Sequence, residues 1–123
     1  MATIIHVDDS SFSRLQIGKT LKKGGHEVIQ ADSGKSALEL LLTTTPDLII
    51  SDILMPDIDG IAFLEILRER GNTIPVIMVT ADVQKDTEAI CLALGARALF
   101  NKPPNEEALL AAVVQATTEG AQQ

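Results

Sequence analysis

Five short runs rich in β-branched residues alternate with five longer stretches of helical period, and that alternation leaves few folds open to the chain. The runs TIIHV (3–7), EVIQA (27–31), DLIIS (47–51), PVIMV (75–79) and ALFN (98–101) are strand candidates. Several are almost continuously apolar, which fits parallel strands covered by helices on both faces. Helices are expected over 11–23, 34–43, 60–70, 83–94 and 106–118, with Phe63, Leu64 and Leu67 marking a buried face in the third. Ser33, Asp59, Asp82 and Asn105 stand where helix N-caps belong. Gly24, Gly71 and Gly95 stand where helices close in the left-handed conformation. Five βα units therefore predict an α/β fold, a doubly wound parallel sheet of five strands with five helices.

Composition narrows what such a fold can do. The 123 residues suffice for one domain, 1–123, with no room for an output domain, and the polar tail 119–123 is expected to fray. Aromatic residues are only 2% of the chain, so the core must be aliphatic. A net charge of −7 without a basic run argues against nucleic acid or an anionic membrane as partner. Cys91, the single cysteine, excludes an internal disulfide. The start, MATIIHVDD, reaches acid before an apolar region develops, and no run is long enough to insert into a membrane, so a cytoplasmic location is expected.

Parallel βα units place every strand's carboxyl end on one edge of the sheet, where open α/β folds hold their ligands. Asp8 and Asp9 follow the first strand, Asp52 the third, Thr80 the fourth and Lys102 the fifth. Three carboxylates brought together repel one another unless a cation neutralises them. Mg2+, a hard ion that takes about six oxygen ligands, suits that set and in turn favours phosphate chemistry. A carboxylate can act as nucleophile toward phosphorus, with metal and ammonium balancing the charge on the transferring oxygens.

These residues, in order and spacing, resemble the response-regulator receiver domain, the CheY-like family, over residues 2 to about 118. The motifs are Asp8 and Asp9 after IIHV, Asp52 before MPDIDG, Thr80 followed by small Ala81, and Lys102 with Pro103 in FNKPP. The resemblance implies a flavodoxin-like sheet of strand order 2-1-3-4-5. It also implies that Asp52 accepts a phosphoryl group from a sensor histidine kinase or phosphotransfer protein in two-component signalling. Asp9 and Asp52 would ligate Mg2+ through side chains, Leu54 through its backbone carbonyl, and Asp8 through water. Lys102 would pair with the phosphoryl group, Thr80 would move toward it, and the Lys102–Pro103 bond would be cis. Pro56 would stiffen the loop after Asp52, and Gly60 would open the third helix. The output would be a downstream target protein's response, so the chain would catalyse only its own phosphorylation and dephosphorylation. A diffusing chemotaxis-type messenger and a phosphorelay intermediate both fit.

Two departures from the family pattern bear on switching. Where the family carries an aromatic ring three residues before the Lys, this chain has Leu99, and the side chain of Phe100 should point to the opposite face. Leu54 and Asp82 sit two residues beyond Asp52 and Thr80 and should flank the phosphoryl group. The stretch ALLAAVVQATT (108–118) is uncharged; Leu109, Ala112, Val113 and Ala116 can form its buried face. Leu110, Ala111 and Val114 are left with no obvious core to fill, which suits either a wide buried stripe or a docking surface. A homodimer across the fourth helix, fifth strand and fifth helix would fit the second case.

Other signals read as structural. DIDG (57–60) lacks the downstream spacing of a calcium loop and reads as a helix start. His6 is expected to be a hydrogen-bonded core residue out of reach of the acidic edge, His26 to be solvated, and Cys91 and Met78 to fill core. A small aspartate-based phosphatase would need its second Asp two residues after the nucleophile on the first strand, which DDSSF does not provide. A flavin module would need stacking aromatics and a phosphate-cradling loop. A phosphorylation-independent protein-binding module is the remaining rival.

Overall fold

A computed structural model describes residues 1–81 and 84–122, the last four by backbone alone. The expectations placed on Asp82, as a cap and beside the phosphoryl group, and on a helix start at Val83 lie outside the described residues. Strands β1 (Thr3–Val7), β2 (Glu27–Ala31), β3 (Leu48–Asp52), β4 (Val76–Thr80) and β5 (Ala98–Asn101) alternate with five helices. The helices are α1 (Ser11–Lys23), α2 (Gly34–Leu40), α3 (Gly60–Glu69), α4 (Lys85–Ala93) and α5 (Glu106–Gln122). All five strands pair in parallel, in the order β2-β1-β3-β4-β5.

Sequence boundaries differ from these by a few residues, each with a local reason. β3 and β4 both run one residue further than expected, so Asp52 and Thr80 are the last residues of their strands. α2 stops at Leu40 instead of residue 43, because the chain tightens into i→i+3 bonds, Leu42 N to Glu39 O and Thr43 N to Leu40 O. α5 continues past residue 118 to Gln122, with no proline after Pro104 to stop it.

Side chains of alternating parity build two cores, one on each face of the sheet. Ile5, Val7, Ile49 and Met78 pack with Phe63, Leu64 and Leu67 of α3 and Cys91 of α4. Ile4, Ile50, Ile77 and Val79 pack with Ile17 and Leu21 of α1 and Leu109 and Val113 of α5. Leu99 packs against the first core and Phe100 against the second, as their parity requires. Ala112 and Ala116 join the expected α5 face, while Ala111 and Val114 stay exposed. Leu110 corrects the expectation for that helix: it packs against the second core, and its side chain fills the space that a Cβ on Gly24 would need. Gly24 thus gives Leu110 room and keeps φ −79°; the left-handed residue after α1 is Gly25, at φ +85°. Gly71 and Gly95 have positive φ as expected. Ser33, Asp59 and Asn105 accept from Ser36 N, Ala62 N and Ala108 N, and Ser10 does the same for α1 through Ser13 N. Arg68 donates to Leu94 O and Asn72 O, both at 2.9 Å, fastening the end of α3 to the end of α4.

His26 is half-buried rather than free in solvent, and its Nδ1 accepts from Ala2 N at 3.1 Å. No helix among the described residues is long and apolar enough to cross a membrane.

Gly60 is where α3 meets the sheet. A Cβ there would lie against Asp52 O and 2.7 Å from Ile53 Cα, backbone that cannot give way. Gly60→Ala should therefore lower stability by about 3 kcal/mol; an unchanged urea midpoint would show that the helix start can move.

His6 is 1% exposed, and burial pulls its pKa from 6.5 to about 4 against the opposing attraction of Asp8. The unfolded state then binds more protons between those values, so stability falls as pH drops through that window. Metal-free wild-type protein should lose about 2 kcal/mol more than His6→Val between pH 7 and 4.5. Urea unfolding at both pH values checks this, and parallel losses would reject it.

Candidate functional site

The site lies at the carboxyl edge of the sheet because β1, β3, β4 and β5 all end there. β1 runs out into Asp8, whose carboxylate Oδ1 accepts from Ser10 N at 2.9 Å as the chain turns into α1. Asp52 closes β3; its Oδ1 accepts from Leu54 N at 3.3 Å. Thr80 ends β4, fully buried, and its carbonyl accepts from Lys102 N at 2.8 Å, which brings the start of the β5–α5 loop over the same edge. The Lys102–Pro103 peptide bond is cis.

Lys102 organises the charges. Its Nζ donates to Asp52 Oδ2 at 2.8 Å and lies 2.7 Å from Asp8 Oδ2, so a single ammonium bridges two carboxylates from two different strands. Both carboxylates are almost wholly buried. Burial pushes the Asp52 pKa up and Lys102 pulls it down; with Asp8 adding repulsion, the balance is above the usual carboxylate value. For Lys102, burial alone would lower the ammonium pKa, but its hydrogen bond to Asp52 and its attraction for both Asp8 and Asp52 outweigh that and leave it raised.

One atom is poorly served. Asp8 Oδ2 is buried and receives no hydrogen bond of good geometry, the close ammonium lying off the hydrogen-bond direction. Asp8, Asp9 and Asp52 each offer a carboxylate oxygen within 4.8 Å of the others. Three oxygen donors, one of them orphaned, with two residues buried and Asp9 exposed to solvent, fit a hard divalent cation that keeps several waters. The structure thus brings together Asp8, Asp9, Asp52 and Lys102, with Thr80 at the end of the strand beside Asp52. Leu54 is 57% exposed next to them, an apolar side chain at the mouth of a polar site.

Two neighbours escaped the sequence reading. His6, expected to stay clear of the acidic edge, has Nε2 4.0 Å from Asp8 Oδ2. The signal was available, since residues two apart on a strand share a face. Arg14 Nη1 donates to Asp8 O at 2.6 Å, a contact formed only once α1 folds back over the end of β1. Cys91 is buried among core residues, with its thiol pKa pushed up by burial and then by Asp59, as befits a side chain that fills space.

Comparison with known proteins agrees with this geometry. Residues 4–114 match the response regulator receiver domain family. Protein PilH of Pseudomonas aeruginosa is 36% identical over 112 residues, covering 89% of this chain and 93% of that protein. The alkaline phosphatase synthesis transcriptional regulatory protein PhoP of Bacillus subtilis is 34% identical over 100 residues, 81% of this chain but only 42% of PhoP. Among solved structures, the chemotaxis protein CheY4 of Vibrio cholerae superposes with a TM-score of 0.86 at 32% identity, over 94% of this chain and 98% of that one. Sheet order, the acidic edge and these matches agree: the chain belongs to the response-regulator receiver domain family.

Proposed function

We propose that this receiver, residues 1–123 as one domain, accepts a phosphoryl group on Asp52 in a Mg2+-dependent reaction and changes its protein-binding surface in consequence. The carrying observation is the Lys102 ammonium held between the buried carboxylates of Asp52 and Asp8, with Asp9 close enough to complete a set of three oxygen donors. Asp8, Asp9 and Asp52, with the Leu54 carbonyl, are the residues that would hold Mg2+. When bound, Mg2+ supplies positive charge against the phosphoryl oxygens.

An Asp52 oxygen attacks phosphorus of a phosphohistidine on a histidine kinase or phosphotransfer protein; the P–O bond forms as the P–N bond breaks, and the released imidazole keeps the electron pair and takes up a proton. The Lys102 ammonium lies 2.8 Å from Asp52 Oδ2 and can follow the new charge as the phosphoryl group arrives. Thr80 would donate its hydroxyl to a phosphoryl oxygen, with Ala81 small enough to leave it room. Leu99, at the sequence position where the family carries an aromatic ring, packs against the first core, so the response would reach α4 and β5 through Thr80 and its loop. Val114 and Ala111 form the exposed apolar part of α5 open to a target protein or a second copy.

Incubation with Mg2+ and acetyl phosphate should add one phosphoryl group, about 80 Da, to the intact mass. EDTA or Asp52→Asn should abolish the gain; no gain from acetyl phosphate or a cognate kinase would leave a phosphorylation-independent binding module as the account. Leu54 shields the acyl phosphate from water in this reading. Leu54→Asn should then speed loss of the phosphoryl group severalfold, and an unchanged or slower decay by the same mass assay would reject shielding.

A further inference from the structure

A ring of hydrogen bonds links three elements behind the acidic loop. His6 of β1 and Gln30 of β2 are register partners, and both face α1. His6 Nδ1 lies 2.9 Å from Gln30 Oε1, and Gln30 Nε2 donates to Arg14 O of α1 at 3.0 Å. Because the Gln30 amide nitrogen is committed to a carbonyl, its oxygen is the acceptor and His6 carries its proton on Nδ1. Arg14 Nη1 then returns to β1 by donating to Asp8 O at 2.6 Å, closing the ring. Its two ends flank Asp8, the guanidinium on the carbonyl and the His6 Nε2 4.0 Å from the carboxylate.

Gly18 supplies an independent sign that Gln30 has an assigned place. It lies inside α1, one turn beyond Arg14, where glycine is unfavourable for a helix. A Cβ at that position would sit 2.7 Å from Gln30 Nε2. The helix thus accepts a poor residue at the point where the Gln30 amide must pass to reach Arg14.

We propose that Arg14 and Gln30 are positioning residues that fix the Asp8–Asp9 loop for divalent metal, Arg14 by holding the Asp8 carbonyl and Gln30 by tying α1 to β2 and β1. This rests on the reading of Asp8, Asp9 and Asp52 as metal-holding residues. Groups that orient ligands from behind commonly change metal affinity by tenfold or more without touching the ion. Brace and ligands act at different levels, so affinity for Mg2+ should move while the folded state does not.

The test is a Mg2+ titration of the full chain followed by the amide resonances of residues 8–10, with urea unfolding alongside, in wild type, Gly18→Ala, Arg14→Ala and Arg14→Lys. Gly18→Ala displaces only the flexible end of Gln30 and improves the helix, so it should weaken Mg2+ binding about tenfold while its unfolding midpoint holds or rises. Arg14→Ala should weaken binding at least as much, and Arg14→Lys, which keeps one donor, should recover part of it. Weakened binding with equally weakened folding in every variant would make the ring structural only and overturn the proposal, as would unchanged affinity in Gly18→Ala. Should Arg14→Ala fail to fold, Gly18→Ala decides alone. A wild-type chain that does not respond to Mg2+ would instead remove the metal reading on which the proposal stands.

Discussion

Like charges held close on rigid strands are the constraint around which the rest of this structure is arranged. Asp8 and Asp52 are buried on adjacent strands, and the ammonium of Lys102 lies within 2.8 Å of both. Removing it would leave two facing carboxylates in a medium that screens poorly, where repulsion either raises a pKa or opens the loops. The fold satisfies this by topology: a parallel sheet sends β1, β3 and β5 to the same edge, although they come from the start, middle and end of the chain.

The same topology assigns the two faces different work. On one face α1 and α5 pack over Ile4, Ile50, Ile77 and Val79, and α1 also carries the polar brace that reaches Asp8. On the other, α3 begins directly on the backbone of Asp52 and Ile53, with Gly60 allowing contact that no other residue permits. α4 and Leu99 complete that second face, and Arg68 ties α3 to α4. The end of β4 thus borders a packed face built by α3, α4 and Leu99.

Much of this was legible in the sequence because it rests on short-range chemistry. Strand and helix order followed from periodicity, and the caps at Ser33, Asp59 and Asn105 from side chains that serve the next turn's amides. Asp8, Asp9, Asp52, Thr80 and Lys102 were visible because each stands at or just beyond the end of a strand, and parallel topology alone gathers strand ends. What escaped depends on register and close approach. The pairing of His6 with Gln30 requires knowing that β1 and β2 align residue for residue. The placement of Leu110 depends on α5 crossing the end of α1 at Gly24, and the left-handed residue there is Gly25. Neither is encoded in a local pattern.

β5 is the shortest strand, four residues at the edge of the sheet, and none of its side chains is fully buried. Edge elements with few buried contacts open at lower free energy than the centre of a sheet, well short of global unfolding. Lys102 follows this strand directly, whereas Asp8 and Asp52 are anchored to β1 and β3 in the interior. Partial opening at the edge would thus withdraw the cation and leave the anions in place, making amide exchange along β5 a measure of how often the acidic cluster stands without its counter-charge.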